Sequence, residues 1–584
     1  MRSPLLFLAL ALAVVRSAPA AEPPPSTPPT PSTVHSLPST ADRPQSTELN
    51  LRALGAIGDG QPHPVSEWIA AKKYKNLRDL QRDYPFVTSL DWSADEAAFQ
   101  RALHELPPEG GTIRIPAGRY IATAYGWRID RDHVRLVGAG ARDTMLSTGP
   151  KLVEGLVLAP YRHVGWRHGV AHEYPFAPDS GTAGADKIRL REPARVADLQ
   201  PGDLVFIRNG ACRFDQDYGE FNEIAGTTPE GDLILKHPLA RDYTLASLNW
   251  ANETAEPLTL PKPGKTVTTR VRTGEGFFAL PPNGAITVGE ALLEIVGRAK
   301  DSVTLRMPVL RAPNGGAGFT PAKESLAEMA GVKPAPPPEP SRTAASPTLG
   351  FNPPPDTILP AGTKFAKSRA VIRLTRTTRD FSAQGLRVFG RRKALNLSNS
   401  YESTFLDCDF VRRPDATTPP GGLTIDGDGG RFATFMRCSI RGTGAAPMQF
   451  ARSFGNVTFE HCTFVATNVV FSEFCFGATL RDSDLQVPAT LGSAVIVGRS
   501  GGDYRVEGNR IVVTGGALRI FDAVTDIASQ KFDAVGPLTI RDNRITAPAN
   551  PRPRIFLLRS DRPAAVSGNT LNGEPVAPVD GPQP

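Results

Sequence analysis

Apolar positions along the chain follow two periods, one helical and one alternating. Phe99, Ala102, Leu103 and Leu106 recur at helical spacing, which predicts a helix with one apolar face. Ser93, three residues before Glu96, predicts a capping box at its start, and Pro107-Pro108 ends it. The stretch from Ser66 to Asp83 carries a weaker helical pattern, with Ile69, Lys73, Leu77 and Leu80 roughly on one side. Elsewhere alternation prevails. Gly110 to Ala122 (GGTIRIPAGRYIA) reads as a turn, a strand, a Pro-Gly turn and a second strand, and Leu54 to Gly60 (LGAIGDG) as a tight turn closing a short strand.

The strongest pattern is an irregular repeat in the C-terminal third. Seven segments align: TFLDCDF (404–410), TFMRCSI (434–440), TFEHCTF (458–464), TLRDSDL (479–485), RVEGNRI (505–511), TIRDNRI (539–545) and AVSGNTL (565–571). Their central residues are Cys408, Cys438, Cys462, Ser483, Asn509, Asn543 and Asn569, separated by 30, 24, 21, 26, 34 and 26 positions. Repeats of this length predict a solenoid of β-coils, the uneven spacing reflecting insertions in surface turns. Equivalent positions in such a solenoid stack at roughly 4.8 Å. The central residues should therefore form an inward column in which cysteines are small fillers and asparagines hydrogen-bond to their neighbours. Parallel stacked side chains approach wrongly for a disulfide, so these three thiols are expected to be free, as are Cys212 and Cys475.

Composition adds limits. The 584 residues exceed one ordinary compact domain, and 40% apolar residues are enough for a buried core. Arg2, the apolar run Leu5 to Val15 and Ser17-Ala18-Pro19-Ala20 predict a signal peptide over residues 1–20, cleaved near Ala20, with a secreted or periplasmic product. The run is too short to span a bilayer, no second long apolar stretch follows, and no cysteine at the cleavage point signals a lipid anchor. Cleavage lowers the formal charge from +7 to +5, a balance compatible with acidic polymers or with solubility alone. Basic runs interleaved with aromatics, as nucleic-acid binding would need, are absent. Residues 21–48 form a Pro/Ser/Thr-rich linker, and a second Pro-rich passage, Val332 to Pro355, predicts a long surface loop. The resulting division is 49–184 for the N-terminal cap and first coils, 185–370 for a β-rich insert, 371–575 for the C-terminal coils and 576–584 for a tail.

LGAIGDG at 54–60, the Asp95–Leu106 helix, GGTIRIPAGRYIA at 110–122 and HVRLVGAG at 133–140 together resemble the rhamnogalacturonase/epimerase-like branch of the pectate-lyase superfamily. The resemblance covers most of 49–150 and 370–575. It implies an all-β fold, a single-stranded right-handed parallel β-helix whose N-terminal helix caps an exposed sheet edge. That family includes hydrolases, lyases, epimerases and phage tailspikes, so the reaction does not follow from the fold. The adjacent Asp-Asp pair and Gly-His-Gly segment of polygalacturonase-type hydrolases are missing, and their catalytic carboxylates cannot be carried over.

Each C-terminal coil has a second strand before the repeat motif: NLSNS (396–400), TIDGD (424–428), QFARS (449–453), VFSEF (470–474), IVGRS (496–500), RIFDA (519–523) and FLLRS (556–560). Aligned end to end, they put Asn399, Gly427, Arg452, Glu473, Arg499, Asp522 and Arg559 in one column, with Asp426 and Asp428 flanking the glycine. Carboxylates two coils apart would stand roughly 9–10 Å from each other at the backbone. Asp426, Asp428, Glu473 and Asp522 are thus candidates for an acid/base pair, and Arg452, Arg499, Arg559 and Asn399 for substrate binding. The same alternation also describes a surface ion-pair ladder, and DGDGG at 426–430 also reads as a turn. Asp215, Asp217, Glu220 and Glu223 suit a weak calcium site or a solvated hairpin, with no other metal or cofactor expected. His461 reads as a packed or surface residue, and His163, His168 and His172 lack zinc-ligand spacing.

Three functions fit: a hydrolase of a neutral or acidic polysaccharide, a lyase or epimerase on a uronate polymer, and a non-catalytic glycan-binding scaffold. The partner expected is a polysaccharide, the chain acting as monomer or homotrimer. N-terminal sequencing of the exported protein should begin at Ala21; an N-terminus retaining the Leu5–Val15 run would overturn the signal peptide.

Overall fold

The computed structural model describes residues 47–576 apart from connecting segments, the longest being 159–172, 209–218, 244–251, 274–283, 308–353 and 523–536. The seven aligned repeats fall into register residue for residue. Phe405 stands beside Phe435, then Phe459, Leu480, Val506, Ile540 and Val566, every pairing parallel. Five positions further along each repeat, Phe410, Ile440, Phe464, Leu485, Ile511, Ile545 and Leu571 form a second parallel column, shifted to the next strand. Both columns are buried. The chain is therefore a right-handed parallel β-helix in which each coil contributes three strands, to a first, a second and a third face. Phe405, Phe435 and Phe459 stack at centroid separations of 4.7 and 4.5 Å, the offset geometry aromatic rings prefer.

The turn from the second face to the third explains the central column. Asp407, Arg437, His461, Asp482 and Asp542 have positive φ, as do Gly508 and Gly568 in the matching places. That left-handed residue turns the next one inward. At Gly508 and Gly568 glycine is required for space as well, because an added Cβ would meet the Asp482 or Asp542 carboxylate of the preceding coil at 2.5 or 2.1 Å. Asn543 then uses its whole amide: Oδ1 accepts from Asn509 N and Nδ2 at 3.0 Å, while Nδ2 donates to Val506 O and Asn569 Oδ1 at 2.9 Å. Ser483 continues the ladder by accepting from Cys462 N. Cys408, Cys438, Cys462 and Cys475 are free and buried, as expected, while Cys212 lies outside the described residues. The Cys438 and Cys462 thiols donate to carbonyls of the preceding coil at 3.4 Å.

The N-terminal helix spans Ala94–Glu105 and buries Phe99, Ala102 and Leu103 in the β-helix core, Phe99 meeting Trp127 edge to face at 5.3 Å. The capping box is half formed. Ser93 Oγ accepts from Glu96 N at 3.0 Å, but the Glu96 carboxylate turns away to receive the amides of Thr123, Ala124, Tyr125 and Gly126. Asp95 likewise accepts from Ile57, Gly58 and Ile121, so the first helical turn ties the LGAIGDG loop to the first coil. Burial pushes the Asp95 carboxyl above its ordinary range against those hydrogen bonds. The weaker pattern at 66–83 yields two short helices, Ser66–Ala70 and Leu77–Leu80, instead of one, with Lys72 at positive φ between them.

The middle of the chain departs from the coils between Leu158 and Thr378. Strand Val134–Gly138 pairs directly with Thr378–Gln384, and Glu154–Leu158 with Lys393–Asn396, so the solenoid runs on as though the intervening residues were absent. The insert is wider than the 185–370 expected, since Glu173–Pro175 already pairs with Val371–Leu374. It holds two antiparallel six-stranded sheets with separate apolar cores, one around Tyr174, Ile207 and Leu233, the other around Leu260, Ile295 and Phe365. The first sheet leans on the β-helix. Phe206 and Phe221 pack with Tyr401 and Phe432, and Arg431 meets the fully buried Glu220 at 3.4 Å. Glu220 is thus no part of a solvated hairpin, because Arg431 and the Ala240 amide occupy its oxygens.

Replacing Asn543 with Ala should cost about 2–4 kcal/mol in urea unfolding, because the amide of Asn509 and the carbonyl of Val506 lose buried partners. Cys438→Ala, which removes one weak donor and little volume, should cost about 1 kcal/mol. Equal losses at both sites would overturn the ladder's role.

Candidate functional site

On the first face the inward residues are Leu156, Leu395 and Ile425, all in the core, so strand alternation turns Asp426 and Asp428 outward. DGDGG is consequently strand followed by a bend. Ile425–Met436 is one continuous strand, and Gly429 and Gly430 take positive φ where it turns from the first face to the second. Gly427 lies under Phe450, whose ring would be 2.3 Å from an added Cβ, so no larger residue fits between the two aspartates. Carboxylates two residues apart on one strand have Cα atoms roughly 6.5–7 Å from each other.

Asp426 does not stand alone. Lys393 Nζ lies 2.5 Å from its Oδ2 and 3.4 Å from Glu154 Oε1 on the preceding coil. Asn396, beside Asp426 in register, donates to the same Glu154 oxygen at 3.3 Å and accepts from Ser398 Oγ at 2.6 Å. These side chains are recessed: Glu154, Lys393 and Asp426 are 10%, 17% and 14% exposed. The result is a compact polar patch with two carboxylates bridged by one ammonium and a third carboxylate, Asp428, on the same strand. Glu154 and Lys393 were not singled out from the sequence. Glu154 belongs to a coil separated from Asp426 by the whole insert, and no linear spacing signals that approach.

The charged column expected from end-to-end alignment does not form as drawn. Asn396 and Gln449 stand beside Asp426 instead of Thr424, and Ile496 stands beside Asp522 instead of Arg519. Gly427 is therefore level with Phe450 and not Arg452, and Asp522 with Ile496 and Leu557 and not with Arg499 and Arg559. The pairing of Gln449, Val470 and Ile496 does match. At 428–430 a bulge sets two residues, Arg452 and Ser453, against one, which is how the register changes at the corner. Asp522 is 1% exposed, held by Arg519 at 2.8 Å and near Ser493 at 3.4 Å. Four strand spacings separate it from Asp426, roughly 19 Å, too far to share one glycosidic bond. Glu473, Arg499, Arg559 and Asn399 lie outside the described residues, as does the Arg452 side chain.

The insert's strand Gly219–Thr227 lies over the corner between the first two faces, contacting strands 425–436 and 448–460. There the Gly219 amide donates to Ser453 Oγ at 2.8 Å, and Lys236 joins Glu223 (3.0 Å) to Glu402 (2.8 Å). Glu223 is thus engaged by an ammonium, while Asp215 and Asp217 lie outside the described residues, as do His163, His168 and His172. Burial disfavours ionised Glu402, but the His237 ring at 3.9 Å and the Lys236 ammonium outweigh it and hold the carboxyl at about 2. Among the described residues one group could hold a metal ion: ligand atoms of Glu460, His461 and Asp482 lie within 4.8 Å of one another at an exposed corner. Glu460 there is already paired with Arg481 at 2.9 Å, and His461 is more than half exposed, the surface role expected of it.

No protein-family model and no curated protein sequence matches the chain. Among solved structures it is similar to the tailspike gp61 of Pseudomonas phage phi297, with TM-score 0.40 and 15% identity over 91% of this chain and 76% of that one. It is also similar to the tailspike gp49 from Pseudomonas phage LKA1 (TM-score 0.28, 12% identity, 90% of this chain and 84% of that one). A third is the gp54 tailspike of Acinetobacter baumannii bacteriophage AP22, solved in complex with capsular saccharide (TM-score 0.28, 8% identity, 79% and 64%).

Glu402 gains stability from ionisation in the fold, so that contribution is complete above its ordinary value of 4.5 and is lost as pH falls through about 2. Urea midpoints of the wild type and Glu402→Gln should differ at pH 6, draw together as pH falls below 4.5, and converge only below about pH 2. A difference that stays constant across this range would remove Glu402 from the acid response.

Proposed function

We propose that the chain is an exported member of the pectate-lyase superfamily that hydrolyses a polysaccharide laid across the first face. The observation that carries this reading is the recessed pair Asp426 and Asp428, on one side of one strand, with Lys393, Asn396 and Glu154 around them. Backbones roughly 6.5–7 Å apart allow their two carboxyl groups to reach the separations of two-carboxylate glycosidases, roughly 5–9.5 Å. One carboxylic acid protonates the glycosidic oxygen as the bond from that oxygen to the anomeric carbon breaks. The other carboxylate removes a proton from the water that adds to that carbon. Glu473, outside the described residues, stays a candidate for the second role from the sequence; Asp522 does not, being buried and distant. Lys393 and Asn396 offer donors to sugar hydroxyls, and the insert stands at the neighbouring corner.

The test is incubation of residues 21–584 with a panel of neutral and acidic polysaccharides, reading reducing ends and ultraviolet absorbance together. New reducing ends without absorbance, lost about 10³-fold or more in Asp426→Asn or Asp428→Asn with unchanged unfolding midpoints, are the expected result. Absorbance from unsaturated products would replace hydrolysis by elimination. Saturable binding without any product would make the patch a recognition surface.

A further inference from the structure

The third face carries a different kind of site. A cleft of about 460 Å³ opens there, over the first coil and those that follow the insert, and is lined chiefly by Arg119, Met145, Arg387, Phe389, Arg391 and Arg413. Register brings them together: Arg119 pairs with Met145, and Met145 with Arg387, across the point where the insert is spliced out. Four guanidinium groups therefore share one concavity although Arg119 and Arg387 are 268 positions apart in the sequence.

Two of the four are already balanced. Arg387 Nε donates to Asp409 at 2.7 Å, and Arg391, itself buried, donates to Asp415 at 2.8 Å and to the carbonyls of Pro150 and Leu152. Those bonds fix the cleft's floor. Among the described residues neither Arg119 nor Arg413 has a carboxylate partner, so the cleft keeps two uncompensated positive charges. Arg413 lies over the Phe389 ring at 4.9 Å, which holds its planar fork in place while leaving its N–H groups available. Phe389 and Met145 add half-buried apolar surface beside these donors. The hydroxyls of Ser147 and Thr148 complete the lining.

Such a lining discriminates among ligands. Paired guanidinium forks match the oxygens of a carboxylate or sulfate, and an aromatic or thioether surface suits the C–H face of a sugar ring. A lone inorganic anion would leave most of the cleft empty. A nucleic-acid strand would need successive aromatics for its bases, and only one ring is present in the cleft. We propose that this cleft binds an anionic sugar unit, its carboxylate or sulfate drawn in by the charges of Arg119 and Arg413 and its ring set against Phe389 and Met145. The site is independent of where on the first face, or whether, the glycan is cut.

Calorimetry on the full exported chain carrying Asp426→Asn, which suppresses turnover, tests this with defined hexasaccharides: a polyuronate, its methyl ester and a sulfated neutral glycan. One of the two anionic ligands should bind, the methyl ester about tenfold or more weaker than the polyuronate if that is the ligand held. Arg119→Gln with Arg413→Gln should lose that binding by at least a similar factor, whereas Arg505→Gln with Arg510→Gln, exposed arginines at the far coils, should keep it. Preference for polyuronate or for sulfated glycan tells which oxyanion the cleft takes, and either supports the site. No binding of both, equal binding of the ester and the acid, equal losses in the two arginine pairs, or tighter Arg119-dependent binding of a single-stranded DNA hexamer would each overturn it. Cleavage by the Asp426-bearing chain is scored separately, so failure of one reading leaves the other intact.

Discussion

Everything in this molecule depends on each coil finding its hydrogen-bond partners in the coils before and after it. A parallel solenoid has no other source for its backbone groups, and its core is too narrow to admit water as a substitute. The asparagine ladder is where that dependence is most concentrated. Asn509, Asn543 and Asn569 each satisfy the amide of the coil before, and Asn509 and Asn543 also donate to the next rung, so the corner between the second and third faces is fixed coil by coil. Toward the N-terminus the ladder changes to serine and then to cysteine, which fill the same inward space with weaker donors, and phenylalanine stacking beside it grows stronger. Polar and aromatic stacking thus divide the length of the solenoid between them.

The same rule explains how the fold tolerates a large insert. Register between Val134–Gly138 and Thr378–Gln384 continues unbroken, so two extra β-sheets can be built on a corner without disturbing the core. The insert repays part of its own ordering by docking: apolar contacts around Tyr401 and Phe432, a buried Arg431–Glu220 pair, and the Lys236 bridge between Glu223 and Glu402. A buried ion pair of this kind contributes little net stability over an apolar contact, but leaving either partner alone is costly, so it favours one docked arrangement over others. That arrangement sets the insert over the corner where strands 425–436 and 448–460 turn.

The outer faces differ in their chemistry because the inward positions are committed to packing and only outward ones are free to vary. The first face presents carboxylates with one ammonium. The third presents arginines balanced in part by Asp409 and Asp415. A β-helix with an acidic patch on one face and a basic cleft on another can hold an extended polymer at more than one point, each contact weak and their sum larger.

The sequence by itself determined the solenoid, the inward column from Cys408 to Asn569 and the free thiols of Cys408, Cys438 and Cys462, because a repeat with an inward residue in the same place seven times fixes its own register. It also determined the capping helix through Ser93 and the apolar face of Phe99, Ala102 and Leu103. It did not determine the first face. The strands there lack a shared motif and their connections to the second face vary in length, so end-to-end alignment set Asp522 in the wrong row. Only the tertiary structure brought Glu154 and Lys393 to Asp426 and gathered Arg119, Arg387 and Arg413 in one cleft. Residues on opposite sides of a two-hundred-residue excursion become neighbours through the register of adjoining coils, and that register is written in backbone hydrogen bonds across space, which no local pattern of side chains encodes.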